Sequence, residues 1–298
     1  MPDYEFDWVD AFADTPMTGN PCVVVHDAAA ISVEDRLRLV RETRLSECAY
    51  LVPSETADFG ARYYLADRAI PLAGHPTVAT VTSLVSRGMV DMANGPTSFT
   101  LELGVGVISV EVAGTVAAPI VTMTQPAPVF GEMADPAEVA EVYGLTADDV
   151  VGRPQVVSTG ATHCITVLRG HEALAAAFLQ TDKLATWQAR LAHPNAASIQ
   201  PFLVTRSGMT PAGDTFSRLL LAPPLPAEDP FTGSATGEMA AYLWRHGLID
   251  SPTFVAEQGH LMDRPGLAQV EVLGPPEAIT GVRVGGAGRV LMRGTLTL

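Results

Sequence analysis

Two stretches decide the fold: Gly74-His75-Pro76-Thr77 and Glu228-Asp229-Pro230-Phe231-Thr232-Gly233-Ser234-Ala235. Each sets a proline and small residues ahead of a segment with almost no charge, Thr77–Val85 in one case and Ala235–Leu243 in the other. Proline is favoured in a first helical turn, where its missing N–H costs nothing. Gly88 and Gly247 follow at the positions where a helix is stopped. A helix that is apolar on nearly every face must be buried, so each calls for a curved sheet wrapped around it.

Working outward, the elements around these helices recur in the same order. Thr18-Gly19 feeds a β-branched strand ending at Val25, and Thr159-Gly160 feeds another ending at Leu168. Helical stretches follow at Val33–Arg44 and Glu172–Leu191, then short apolar strands at Ala49–Val52 and Pro201–Val204. Arg62–Leu65 and Arg218–Leu221 are the Arg-bearing strands. The offset grows from 141 (Gly19 to Gly160) through 154 (Pro76 to Pro230) to 159 (Gly88 to Gly247), as insertions in an old duplication would make it. Chance likeness is the alternative, and the shared order of six elements argues against it. The expected architecture is α+β in two pseudo-symmetric halves. Residues 1–120 form the first half, with a returning strand at about 284–298, and residues 121–283 form the second. The chain crosses between them near Ala117–Pro126.

Composition narrows the function. Hydrophobic residues make up 47% of the 298, enough for a large core. Net charge is -15, which repels phosphate backbones and anionic lipid and excludes nucleic acid and membrane surfaces as expected partners. Mean hydropathy of +0.22 prompts a search for a membrane span. The most apolar stretch, Val105–Met123, is broken by Glu111, glycines and Pro119 and reads as two strands and a turn. No export signal is visible at Met1-Pro2-Asp3-Tyr4-Glu5. Cys22, Cys48 and Cys164 show neither a CxxC pair nor metal-ligand spacing, which fits a reducing cytoplasm.

Exposed N–H groups at a helix N-terminus bind anions. Two such starts facing one cleft would hold a carboxylate and the negative charge that develops when a neighbouring proton leaves. His75 and Asp229 take equivalent places in this reading. Each has a plainer role open to it: His75 as a cap or a satisfied core histidine, Asp229 as an ordinary N-cap. Glu47, in Leu45-Ser46-Glu47-Cys48-Ala49, faces an uncharged counterpart, Ile199 or Gln200. It reads as a single general base or as a capping or ion-pairing glutamate.

These residues, with Asp10-Ala11-Phe12, Gly19-Asn20-Pro21, Gln258-Gly259, Arg264-Pro265 and Val282–Gly286, resemble the PhzF-like proteins of phenazine biosynthesis. The resemblance implies a diaminopimelate-epimerase-like fold, a homodimer, and no metal or cofactor. It implies an isomerase that moves hydrogen along a conjugated small carboxylate, with Glu47 as acid/base. His75 and Asp229 are then expected as catalytic residues with Glu47, and Gly74, Pro76, Thr77, Gly233, Ser234 and Ala235 as substrate-binding residues, Gly233 in the same anion-binding turn. The sequence departs from the family pattern at Ala69, where an acid is usual, at Leu65-Ala66, and at Asp263 and Gly266. These departures point to altered substrate choice. A phenazine precursor and another secondary-metabolite diene or enamine carboxylate, such as a 4-alkyl-proline precursor, fit equally. Two rivals on the same scaffold are an amino-acid epimerase, which needs two opposed thiols, and a non-catalytic carboxylate-binding protein. Ring closure or carbon–carbon chemistry that begins with the same proton abstraction is also compatible.

Overall fold

The computed structural model describes all 298 residues. The first half runs β1 (Asp3–Ala11), β2 (Asn20–Val25), α1 (Val33–Thr43), β3 (Cys48–Val52), β4 (Phe59–Tyr64), β5 (Ala69–Ile70), α2 (Gly74–Ser86), β6 (Thr97–Leu103), β7 (Gly106–Thr115) and β8 (Ala118–Pro126). The second runs β9 (Val129–Met133), α3 (Pro136–Val142), β10 (Gln155–Ser158), β11 (Thr162–Val167), α4 (His171–Ala176), α5 (Thr181–Gln188), β12 (Pro201–Thr205), β13 (Thr215–Leu220), β14 (Glu228–Asp229), α6 (Gly233–Arg245), β15 (Thr253–Gln258), β16 (Gly266–Leu273) and β17 (Gly281–Thr297).

The duplication is written in the strand pairings. β2 runs parallel to β3 as β11 does to β12. β3 is antiparallel to β4 as β12 is to β13. β4 runs parallel to β6 as β13 does to β15. The two barrels share their closing strands. β17 pairs through Gly281–Ala287 with β8 and through Gly288–Thr297 with β1, while β8 also pairs with β7 and leads into β9, which pairs with β10. Barrels without free edges leave no unpaired backbone along their length.

Each barrel is filled by one helix. α2 is buried from Gly74 to Val85, and α6 is buried along most of its length. Val78, Val81, Leu84 and Val85 of the first, and Met239, Ala240 and Leu243 of the second, belong to one continuous core with the inward-facing strand residues. No helix is long and apolar enough to cross a membrane.

Two readings of local structure are corrected. Glu172–Leu191 is not one helix, because Phe178 and Gln180 donate backbone hydrogen bonds to the C-terminal end of α3 and pull residues 177–180 out of helical geometry. The register of the two motifs also differs. Asp229 lies on the short strand β14, and Thr232 is the residue that precedes α6. The matched starts are therefore Gly74 and Gly233, 159 residues apart, as Gly88 and Gly247 are. This pairs His75 with Ser234 rather than with Asp229, and Pro76 has no partner in Pro230.

Candidate active site

The two helix starts abut. A Cβ on Gly74 would stand 2.9 Å from the Cα of Gly233, so only glycine lets the backbones approach this closely. Phe12 stacks on Phe231 at 4.3 Å behind this contact, and both rings are fully buried. Neither start has a side-chain cap or an acidic residue in its first turn. Their free N–H groups face a cavity of about 430 Å³ bounded by both halves.

Glu47, Gly74, His75, Asp229, Gly233 and Ser234 line this cavity. Pro76, Thr77 and Ala235 do not. Helical rotation turns them into the barrel interiors, where Thr77 donates to the Ala73 carbonyl at 2.7 Å and contacts the Tyr63 hydroxyl at 3.0 Å. Of the departures from the family pattern, Leu65 and Ala69 line the cavity, while Ala66, Asp263 and Gly266 lie outside its wall.

Glu47 precedes β3. Because Val23 pairs with Cys48 as Cys164 pairs with Pro201, the counterpart of Glu47 is Gln200, its neutral isostere, which also lines the cavity. The Glu47 Oε2 is buried without a hydrogen-bond partner. Burial pushes its carboxyl well above the usual range, the Asp229 charge adds to this, and Arg68 opposes it. His75 Nδ1 lies 3.8 Å from Glu47 Oε2, and its Nε2 is buried and unpartnered. Burial depresses the imidazole to about 3, so it is neutral at physiological pH.

Asp229 is clamped on both oxygens. Asn20 Nδ2 donates to Oδ1 at 2.9 Å and Thr232 Oγ1 donates to Oδ2 at 2.6 Å. Burial raises the carboxyl to about 6 even so, with those two bonds pulling the other way. Gln258 donates to the Asp229 carbonyl at 2.8 Å and accepts from the Thr232 N–H at 3.0 Å. Asp229 makes no hydrogen bond to His75, so no relay runs from one to the other. Asn20 and Gln258, which hold Asp229 and Thr232 from behind the cavity, and His163, on its wall, are residues that a local reading misses. The first two stand in quoted motifs, and His163 is the one titratable nitrogen side chain in a strand of Thr, Cys, Ile and Val.

The remaining motifs hold the seam. Arg264 donates to Asp10 at 2.7 Å and to the carbonyls of Thr18 and Gly19, binding the second half to the loop that leads into Asn20. A Cβ on Gly286 would strike the Phe12 ring. None of the three cysteines lines the cavity, and burial pushes the Cys48 thiol up to about 12, so the opposed thiols of an epimerase are missing. No three His, Cys, Asp or Glu side chains gather closely enough to hold a metal ion.

The family model described as phenazine biosynthesis-like protein matches residues 9–294. The chain belongs to the PhzF-like family. It is 28% identical over 298 residues to trans-2,3-dihydro-3-hydroxyanthranilate isomerase of Pseudomonas fluorescens, covering 97% of this chain and 98% of that one. It also superposes on a PhzF-family phenazine biosynthesis protein of Bacillus anthracis, with a TM-score of 0.87, 22% identity and full coverage of both chains. A hydroxyproline epimerase of Agrobacterium vitis shares the fold at a TM-score of 0.68 and 14% identity, over 99% of this chain and 93% of that one. The architecture is thus the diaminopimelate-epimerase-like α+β fold, and the chain is a PhzF-family isomerase.

Proposed function

We propose that this isomerase moves a proton along the conjugated system of a small carboxylate in secondary metabolism, with Glu47 as general acid/base. One observation carries the reading. Glu47 is the carboxylate with a buried, unpartnered oxygen in a cavity walled by two uncapped helix starts, and its pseudo-symmetric twin is an amide. In this mechanism the substrate carboxylate lies against the N–H groups at Gly74 and Gly233-Ser234. Ionised Glu47 takes the proton from an adjacent conjugated carbon. The C–H electron pair enters the π-system, where the helix starts and the neutral His75 stabilise the spreading charge. Glu47 then returns the proton at the other end of the system. The raised affinity of Glu47 for protons suits both steps. Leu65 and Ala69, where the cavity wall departs from the family pattern, adjust which conjugated carboxylate fits.

Trans-2,3-dihydro-3-hydroxyanthranilate, named for the Pseudomonas relative, is the first compound to try. NMR in D₂O follows loss of the substrate C–H signal and product formation together. Glu47→Gln abolishing both supports the assignment; full activity in that variant overturns it.

A further inference from the structure

The second half places a side chain on the cavity wall that the proton transfer above does not use. His163, on β11, lines the cavity with 14% of its side chain exposed. Its Nδ1 is 2.7 Å from Oε2 of Glu238, and its Nε2 makes no hydrogen bond within the protein. Glu238 comes from the interior of α6 and is wholly inaccessible. A buried carboxylate costs several kcal/mol unless it is paired. Its counterpart 159 residues earlier in α2 is Ala79, and the counterpart of His163, 141 residues earlier, is Cys22, so the first half fills the same places with small uncharged residues. The pair is an addition confined to one side, like Glu47. Fixing one imidazole nitrogen with a carboxylate sets the ring orientation and leaves the other nitrogen to meet a ligand. The neighbouring wall residues Gly160, Ala161 and Thr162 are small, which gives a ligand room to reach it.

We propose that His163 Nε2, oriented by Glu238, is a specificity-determining contact that reads a second oxygen substituent on the substrate, a hydroxyl or carbonyl distant from the carboxylate held at the helix starts. The proposal rests on the carboxylate-binding reading of the cavity. Glu238 is the positioning residue. A buried group built to bond a substrate oxygen discriminates strongly against an analogue lacking it.

The probes are benzoate and its 2-, 3- and 4-hydroxy isomers, with binding measured by calorimetry on the whole chain. The wild type is expected to bind one hydroxy isomer about tenfold or more tighter than benzoate. His163→Phe keeps a ring of similar size and should erase that gain while leaving benzoate affinity within about twofold. Glu238→Gln still offers an acceptor to Nδ1 and should retain most of the gain; Glu238→Ala should lose it. ¹⁵N shifts of the His163 ring report whether its tautomer is released in step. Absence of any gain in the wild type, or a gain that survives His163→Phe, overturns the contact and leaves the carboxylate site standing. Failure of the wild type to bind benzoate at all overturns the carboxylate reading, and the contact falls with it.

Discussion

Nδ1 of His75 stands 3.8 Å from Oε2 of Glu47, beyond hydrogen-bond reach, although the His75 ring and that Glu47 oxygen are both buried at the mouth of α2. An acid/base group that was already bonded would have to break that bond before touching a substrate. The gap leaves the Glu47 oxygen free to meet a ligand, while burial keeps His75 neutral beside it.

In the proposed mechanism, replacing Glu47 with Gln removes the proton carrier and preserves the shape, because Gln200 already shows that an amide fits the equivalent place. Turnover is expected to fall about 10²- to 10⁴-fold. The wild-type kcat/KM should rise with pH through a midpoint above the ordinary glutamate range, since burial raises the Glu47 carboxyl. A residual rate in Glu47→Gln that keeps the same pH limb would place the titrating base elsewhere.

Asp229 makes stability depend on pH in an unusual direction. Its folded value, about 6, lies above the unfolded 3.8. The stabilisation is therefore complete below about pH 4 and is lost as pH rises through 6, amounting to roughly 3 kcal/mol. In Asp229→Asn this dependence disappears. The melting temperature of the variant relative to wild type should climb from pH 5 to pH 7.5, and parallel curves across that window would count against the assignment.

His75, depressed to about 3 by burial, should show no titration of its ring signals in ¹H–¹⁵N spectra between pH 5 and pH 8. Its linkage has the opposite sign to that of Asp229. The stabilisation is present above 6.5 and is lost as pH falls toward 3. A His75 ring that charges near pH 6.5 would mean that the pocket is wet.

Gly74→Ala tests the contact between the helices. The new methyl carbon meets the Gly233 backbone at 2.9 Å, where neither side is a flexible side chain. Stability should drop by about 1–3 kcal/mol, read as a lower denaturant midpoint at unchanged slope, with activity falling as the anion cradle opens. Gly88→Ala has open space around it and serves as the control for steric effects, its cost coming from a backbone φ of +70°.

The two buried helices were legible in the sequence because burial leaves a compositional mark on Thr77–Val85 and Ala235–Leu243, and Glu47, a lone acid beside an apolar strand, lines the cavity. The register between the halves was harder to read. The prolines looked like matched anchors, yet the backbone contact of Gly74 with Gly233 sets the correspondence, and glycine has no side chain to advertise it. That error made Asp229 look like the twin of His75, when its carboxylate is held from across the seam by Asn20, 209 residues away. The His163–Glu238 pair spans 75 residues and leaves no periodic signal in either segment. Arg264 and Asp10 were visible only as shared motif letters until their 2.7 Å contact gave them a structural reason.

The strand Gly281–Thr297 serves both barrels, and its register with the first strand runs from Gly288 opposite Ala11 to Thr297 opposite Asp3. On the ribosome, the strand Asp3–Ala11 therefore waits for partners made 277 to 294 residues later. The first half cannot seal its barrel while the second is still being built, and the cleft between them does not exist until synthesis has passed both.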